Sequence, residues 1–428
     1  MKKSKIFFVI VLTTCLSSLC LADEFQTKVI EVNKVILPKK PDTYMEVRHI
    51  VLRGSNKEIG NAFGKIAQDW LGVKQPDKLS EPLYAKANQI YIGRNYPILS
   101  ERIKGIAQAY NLPSDVNLSG SLSYDLWPEG AACSMIYFPP NRAKKTHAFV
   151  AHNFDFFPMT FAKMMNFQGP EISSKLNSRN FVMELYPNKG YASIGIGSMD
   201  LVSGLFTGMN SQGLLVSQLV CYGSPVITAP EDMKKNCGLD SFKLLRLLLD
   251  TCANVEEAKM ALLVNKMAVG FKGIHFEICD KFGSSVICEM DPKTFQWRFT
   301  DNKNAIQIMT NHPQYVYSKI ADFPSEKIAK ASCQNNSFNR YLKLDAFIKN
   351  HNGKFSLNDG KRAMEKVYSS GIADMDYPLE MRTFWTEIYN LTELTMEVKF
   401  YLRDGTAGSK TGKPSLVFSK PFKFKLNV

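Results

Sequence analysis

Apolar and polar positions follow a helical spacing in the first third of the chain. After an initial extended segment, apolar residues recur every three to four positions up to about residue 125, with polar residues between them. Three stretches have this spacing and end at turn-forming residues: Ser55–Leu71, Glu81–Asn95 and Ile98–Tyr110. We predict a helix over each of them, and Ser55 or Asn56 would cap the first.

The spacing changes at Cys133, where short apolar runs broken by glycine or proline begin to predict strands. The predicted strands are Cys133–Phe138, His147–Phe154, Phe181–Tyr186, Tyr191–Gly197, Gly204–Met209, Leu214–Tyr222, Gly273–Cys279, Ser285–Met290, Phe295–Thr300 and Ile306–Met309. Residues 384–402 alternate again towards the end of the chain.

Helical patterns interrupt these strands at Ser241–Asp250 and Val255–Val264, and again over about residues 337–369. Asn254 precedes the second helix, with Glu257 at the capping-box position. Strands, helices, strands and a further helical region favour an α+β fold, in which sheets lie between layers of helices. A chain of 428 residues with 45% hydrophobic content has ample material for such a core.

The beginning of the chain has the features of a secretory signal peptide. Residues 1–5 are basic, an apolar run follows from Ile6 to Leu21, and small residues precede Asp23. A lipoprotein signal at Cys15 is the less favoured interpretation, because Thr14 is a poor residue before a lipidated cysteine. We therefore expect a signal peptide over residues 1–22, and a protein that is secreted or periplasmic, or lysosomal or luminal in a eukaryote.

Charge and hydropathy restrict the partners. The formal charge is +13, and about +10 remains without the three lysines of the signal peptide. No basic run contains interleaved aromatic residues, so we expect no nucleic-acid partner. No other apolar run is long enough to cross a bilayer, so we expect no stable membrane insertion.

Nine cysteines occur in the chain, and the two in the signal peptide leave an odd number behind. In an oxidising compartment at least one thiol is then unpaired. Cys279 and Cys288 flank a predicted hairpin turn at residues 282–284, so they could face each other across two strands. The spacing leaves the pairing of the others open.

Cys133 lies in the stretch GAACSMIYFPP, at the start of a strand and after two small residues. A thiol is a good nucleophile only as a thiolate, and it needs a base at neutral pH. Cleavage of the peptide bond before Cys133 would provide one, since the new α-amino group has a pKa of about 8. Taken alone, Cys133 is better interpreted as a buried structural cysteine.

Further motifs follow Cys133 in a recognisable order. A predicted strand ends in HNFD at residues 152–155, and GMNSQGL, MTNHPQY and SFNRY follow at residues 208–214, 309–315 and 337–341. Together with FWTEIYNL near the end, this order resembles the cysteine N-terminal-nucleophile hydrolases. The resemblance is greatest to the isopenicillin-N acyltransferase-like autoproteolytic family, and it extends to penicillin V acylases, bile-salt hydrolases and acid ceramidase-like amidases.

This resemblance implies a four-layer αββα sandwich preceded by a helical pro-region. Residues 23–132 would form the pro-region or small subunit, and residues 133–428 the catalytic large subunit. The chain would cut itself between Ala132 and Cys133 and remain a heterodimer of the two pieces. The family often has glycine where this chain has Ala132.

The same resemblance assigns roles to five residues. Cys133 would be the nucleophile and, through its amine, its own base, while Asp155 would orient that amine. Asn311 would donate its side-chain amide to the oxyanion, and Asn210 would contribute to the same hole or hold the substrate amide. Arg340 would steady the charges around Cys133 and Asp155. No cofactor and no metal is implied.

Each of these residues also has an ordinary interpretation when it is taken alone. Asn210 would be a turn residue before glycine, Asn311 a loop residue and Arg340 a solvated helical residue. His152 stands where the bile-salt hydrolase branch has arginine, which favours the acyltransferase-like branch. Its role is left open between catalysis and packing, and packing is favoured.

The predicted function is hydrolysis, or acyl transfer, of a linear amide through a thioester on Cys133. The partner would be a small-molecule amide, and the aromatic and methionine-rich residues 154–167 could line a pocket for an apolar acyl group. One alternative is a phospholipase B-like or other ester hydrolase on the same fold. The other is a secreted binding protein that has no catalytic activity.

Overall fold

The structure is a computed structural model. It describes residues 29–125, 132–164, 175–224, 237–268, 270, 273–331, 335–372, 380–408 and 412–428. The predicted signal peptide lies outside these ranges. Within them, every helix is too short or too polar to cross a membrane.

One sheet has nine strands in the described part of the chain. They are β1 (Ile30–Leu37), β2 (Glu46–Gly54), β5 (Arg179–Pro187), β6 (Ser193–Ser198), β7 (Leu205–Asn210), β8 (Leu214–Val220), β9 (Ile274–Asp280), β10 (Ser284–Met290) and β11 (Trp297–Lys303). Their spatial order is also their chain order, and neighbours are antiparallel except for the parallel pair β2 and β5.

The second sheet has eight described strands, and it contains Cys133. They are β3 (Ala132–Phe138), β4 (Phe149–Phe156), β12 (Gln307–Met309), β13 (Ser370–Ile372), β14 (Glu380–Asn390), β15 (Thr395–Ala407), β16 (Pro414–Phe418) and β17 (Phe422–Lys425). The order is β12-β3-β4-β14-β15-β16, while β13 pairs with β14 and β17 pairs with β15. Every residue of β3 and β4 is buried, as expected for strands covered on both faces.

Nine α-helices are described alongside these sheets. They are α1 (Asn56–Ile66), α2 (Pro82–Asn95), α3 (Pro97–Ala109), α4 (Phe161–Met164), α5 (Ser241–Thr251), α6 (Val255–Val264), α7 (Glu326–Ala331), α8 (Asn335–Lys349) and α9 (Leu357–Glu365). A π-helical turn, Ala67–Leu71, continues α1, and short 3-10 turns lie at Lys144–Thr146 and Ile320–Asp322. The side chains of Ser55 and Asn254 cap α1 and α6, as their sequences predict.

The helices and sheets form four layers. Helices α5 and α6 pack on the nine-stranded sheet, and α8 and α9 pack on the second sheet. The two sheets face each other, with β3 of one against β8 of the other. This arrangement confirms the predicted α+β fold with αββα layers.

The region before Cys133 is less helical than we predicted. Its three helices are present, but the extended segment is the hairpin β1–β2, and β2 pairs with β5 from Glu46–Arg179 to Gly54–Pro187. This region therefore completes the nine-stranded sheet. The pattern of apolar residues before Ser55 is compatible with a strand, but its partner lies about 130 residues further along the chain.

The helices of this region pack closely on each other, and a buried ion pair joins the region to the rest of the molecule. Helices α1 and α3 touch at two glycines: a Cβ atom at Gly105 would lie 1.9 Å from the Lys57 carbonyl oxygen. Arg102, fully buried on α3, donates to both carboxylate oxygens of Asp250 on α5, at 2.6 and 3.2 Å. Removing one partner of a buried ion pair is strongly destabilising.

The predicted contact between Cys279 and Cys288 is wrong. Both thiols are free and buried, because the register of β9 and β10 pairs Cys279 with Ser285 and Cys288 with Phe276. Side chains alternate between the faces of a strand. Three positions separate Ser285 from Cys288, so the two thiols lie on opposite faces of the sheet.

Candidate active site

Cys133 is the second residue of β3 and is almost completely buried, with 2% of its surface exposed. It lies opposite Phe154 on β4, so both side chains point into the space between the sheets. Phe154 stacks there on Trp385, with ring centroids 4.1 Å apart. The thiol therefore lies beside an aromatic part of the core.

Hydrogen bonds concentrate on the main chain of Cys133. Its N–H donates to Asn311 Oδ1 at 3.0 Å, and its carbonyl oxygen accepts from Arg340 Nη1. Arg340 also donates to Ser134 Oγ at 2.7 Å and to Asn311 Oδ1 at 2.6 Å. The structure thus brings together the motifs that contain Cys133, Asn311 and Arg340.

The loop that carries Asn311 is attached to α8 by Ser337. The main-chain N–H groups of Asn311 and His312 both donate to Ser337 Oγ, at 2.8 and 2.9 Å. Ser337 precedes Arg340 by three residues, so both project from the same side of the helix. We did not identify Ser337 from the sequence, although it is the first residue of the SFNRY motif.

Asn311 uses its side chain in two directions. Its Oδ1 accepts from Cys133 and Arg340, and its Nδ2 donates to the Val220 carbonyl oxygen at 2.7 Å. An amide nitrogen carries two hydrogens. One of them can therefore still be donated to another acceptor.

Asp155 lies opposite Ala132, next to the peptide bond between Ala132 and Cys133. Its Oδ1 accepts from Thr383 Oγ1 at 2.6 Å, while its buried Oδ2 has no partner among the described residues. Burial raises the pKa of Asp155 to about 6, although Arg340 and Thr383 oppose the rise. Thr383 is a second residue that we did not identify from the sequence, because no motif marks it.

The thiol of Cys133 is protonated in this structure. Burial is the main cause that raises its pKa, the nearby Asp155 raises it further, and Arg340 opposes both. Burial also lowers the pKa of His312 to about 3, so that imidazole is neutral at physiological pH.

The structure gives Asn210 a different role from the predicted one. Its Nδ2 donates to the carbonyl oxygens of Leu249 and Cys252, at 3.0 and 2.7 Å. Its Oδ1 accepts from the N–H groups of Gln212 and Leu214. Both amide hydrogens are used, so Asn210 holds the β7–β8 turn against the end of α5 and is not joined to Cys133.

His152 lies in the interior of the molecule. Its Nδ1 lies 2.6 Å from Glu387 Oε1 and 3.2 Å from Thr207 Oγ1, and all three side chains are fully buried. His152 and Glu387 belong to one sheet and Thr207 to the other. These contacts form a polar bridge between the sheets.

A model of the acyl-coenzyme A:6-aminopenicillanic acid acyl-transferase family matches residues 141–403. This match covers more than half of the chain. The chain belongs to this family. The predicted resemblance to the acyltransferase-like branch is confirmed, and with it the predicted class of enzyme, a hydrolase or acyltransferase. The matched range of this acyl-transferase family member includes Asp155, Asn311 and Arg340, and it begins after Cys133.

Three solved structures are also similar to this acyl-transferase family member. A variant of the conjugated bile acid hydrolase from Clostridium perfringens has 14% identity, covers 69% of this chain and 97% of its own, and gives a TM-score of 0.43. Penicillin V acylase from Agrobacterium tumefaciens has 16% identity, covers 67% of this chain and 85% of its own, and gives a TM-score of 0.40. The N-acylethanolamine-hydrolyzing acid amidase ortholog of Caenorhabditis elegans has 12% identity, covers 60% of this chain and 93% of its own, and gives a TM-score of 0.37.

Proposed function

We propose that this protein is a secreted amidase or acyltransferase that cuts itself before Cys133 and then uses Cys133 as an N-terminal nucleophile. One observation carries the proposal: Asn311 and Arg340 both bind the main chain of Cys133, and Asp155 lies beside the preceding peptide bond. A structural cysteine needs none of these contacts. They are suited to a residue whose own backbone nitrogen takes part in the chemistry.

Self-cleavage would begin with attack of the Cys133 sulfur on the Ala132 carbonyl carbon. The C–N bond breaks as the C–S bond forms, the nitrogen gains the proton lost by the thiol, and a thioester results. Water then hydrolyses the thioester. The products are a carboxylate on Ala132 and a free amine and thiol on Cys133.

The freed amine would serve as the base in the second reaction. It accepts the thiol proton, and the sulfur attacks the carbonyl carbon of a linear amide. The remaining Nδ2 hydrogen of Asn311 is suited to the oxyanion, and Asp155 Oδ2 is suited to hold the ammonium group. The amine product leaves with the proton, and water or a second amine cleaves the thioester.

The acyl group would be apolar. Phe154, Phe156 and Trp385 lie on the side of the sheet to which the Cys133 thiol points, and their rings stack closely. In the uncut chain these rings are fully buried core residues.

The two pieces would stay together after cleavage. Strand β2 of the small piece is hydrogen bonded to β5 of the large piece along nine residue pairs. Arg102 and Asp250 form a buried ion pair across the same boundary. A stable heterodimer of residues 23–132 and 133–428 is therefore expected.

N-terminal sequencing of the purified protein tests the proposal. Two chains should separate on a denaturing gel, and the larger one should begin with Cys133. Parallel assays on an N-acyl amino acid and a lysophospholipid then distinguish an amidase from an ester hydrolase. A single chain that fails to react with a thiol-directed acyl probe would instead indicate a binding protein.

Changing Arg340 to lysine should slow self-cleavage about 100-fold, the order of the effect of removing one hydrogen-bond donor from a catalytic site. Lysine keeps the charge but not the fork of donors that joins Cys133, Ser134 and Asn311. The rate is measured as the loss of the uncut band over time. Lys343→Arg, at an exposed position on the same helix, is the matched control and should cleave normally.

A further inference from the structure

A cluster of three metal-binding side chains lies next to the proposed active site, at one end of the nine-stranded sheet. Cys221 directly follows β8, while His275 and Glu289 are paired across β9 and β10. All three side chains are buried, and one potential ligand atom from each lies within 4.8 Å of the others. Sequence spacing gives no indication of this cluster, because strand pairing alone brings the residues together.

The distances fit a tetrahedral metal site. Cys221 Sγ is 3.7 Å and His275 Nδ1 is 3.2 Å from Glu289 Oε1. Zinc binds sulfur at about 2.3 Å and nitrogen or oxygen at about 2.0–2.2 Å, so neighbouring ligands in a tetrahedron lie about 3.3–3.6 Å apart. These two distances need adjustments of only a few tenths of an ångström, and the ligand atoms of Cys221 and His275 lie within 4.8 Å of each other.

A second observation supports a missing partner at this place. His275 Nε2 is buried and has no hydrogen-bond partner among the described residues. Buried ring nitrogens are normally satisfied. A metal ion is one partner that a buried imidazole nitrogen can take.

We propose that Cys221, His275 and Glu289 bind a zinc ion. A thiolate and an imidazole select zinc over magnesium or calcium, which prefer sites built from oxygen alone. As the metal–sulfur bond forms, the Cys221 thiol loses its proton to solvent, while Glu289 binds as a carboxylate and His275 as a neutral imidazole. Three protein ligands leave the fourth position for a water molecule.

This ion would hold the loop that carries Asn311. Glu289 accepts from the N–H groups of Gln314 and Tyr315, each at 2.8 Å. On the other side, the N–H of Tyr222, next to Cys221, donates to the Asn311 carbonyl oxygen at 2.9 Å. Zinc would therefore connect both segments that position Asn311, and it would stabilise the fold whether or not the chain cuts itself.

Metal analysis of the full-length protein tests the site directly. After incubation with zinc and dialysis, the wild-type protein should retain about one zinc ion per chain. Cys221→Ser should lower the zinc affinity about 100-fold or more, because mutation of a residue that only supports a metal ligand already lowers metal affinity about 10- to 100-fold. Cys252→Ser removes another buried thiol, at the end of α5, and should bind zinc like the wild type.

Cobalt provides a spectroscopic readout in the wild-type protein itself. Wild-type protein loaded with cobalt should show the near-ultraviolet charge-transfer band of a cobalt–thiolate bond, and Cys133→Ala should retain the band. Folded wild-type protein that takes up neither zinc nor cobalt at micromolar concentrations would overturn the proposal. So would equal zinc binding by Cys221→Ser and the wild type.

Discussion

Replacing Cys133 with alanine is expected to leave a single uncut chain and to lower amide turnover by about 10⁴-fold or more, as loss of a nucleophile does in other hydrolases. Alanine removes the sulfur that attacks Ala132 and also the thiol that the freed amine would activate. The fold should persist, because the side chain is small and the main-chain contacts to Asn311 and Arg340 remain. Denaturing gels and turnover of an N-acyl amino acid measure the two effects.

Cys252→Ala is the control for this experiment. Its thiol is also buried, but it lies at the end of α5, away from the contacts of Cys133. It should be cut and should remain active. Cleavage of the Cys133→Ala chain at the same bond, or an active wild-type protein that is never cut, would contradict the proposed mechanism.

Replacing Asp155 with asparagine should impair self-cleavage and stabilise the uncut fold at neutral pH. The pKa of Asp155 is 3.8 in the unfolded chain and about 6 in the fold, because burial disfavours the carboxylate. The folded state therefore holds a proton that the unfolded state has already released between these pH values. The contribution of the Asp155 proton to the free energy of unfolding is fully present below pH 4 and is lost as the pH rises through 6.

The size of this effect is about 3 kcal/mol, at about 1.4 kcal/mol for each pKa unit. It is measured as the free energy of unfolding from pH 4 to pH 7 in the Cys133→Ala background, where every chain stays uncut. Adding Asp155→Asn should remove about this much of the pH dependence, whereas Asp115→Asn at an exposed position should not. An unchanged pH dependence with Asp155→Asn would contradict the assignment.

The sequence predicts those parts of the site that short segments determine. Helices α1, α2 and α3 and most strands lie close to their predicted positions, since apolar spacing and caps act over a few residues. The register of β3 and β4, which places Asp155 opposite Ala132, follows from a local pairing of neighbouring strands.

Long-range contacts explain what the sequence does not predict. The parallel pairing of β2 with β5 leaves no local signal, and neither does the role of Thr383. Asn210 has the residue type of an oxyanion donor. However, its amide hydrogens are donated to carbonyl oxygens at the end of α5, which is distant in the sequence. Residue type and order therefore indicate candidates, and the tertiary contacts decide between them.

The pairing of β2 with β5 makes the segment before Cys133 part of the unit that folds. A polypeptide synthesised from Cys133 onward would have an open edge at β5, where unpaired main-chain groups invite aggregation. It would also deprive Asp250 of Arg102 and leave it with the more distant Arg246, at 3.7 Å. If the chain cuts itself as proposed, the segment before Cys133 would be needed to assemble the sheet, and refolding from separated pieces should succeed only when both are present.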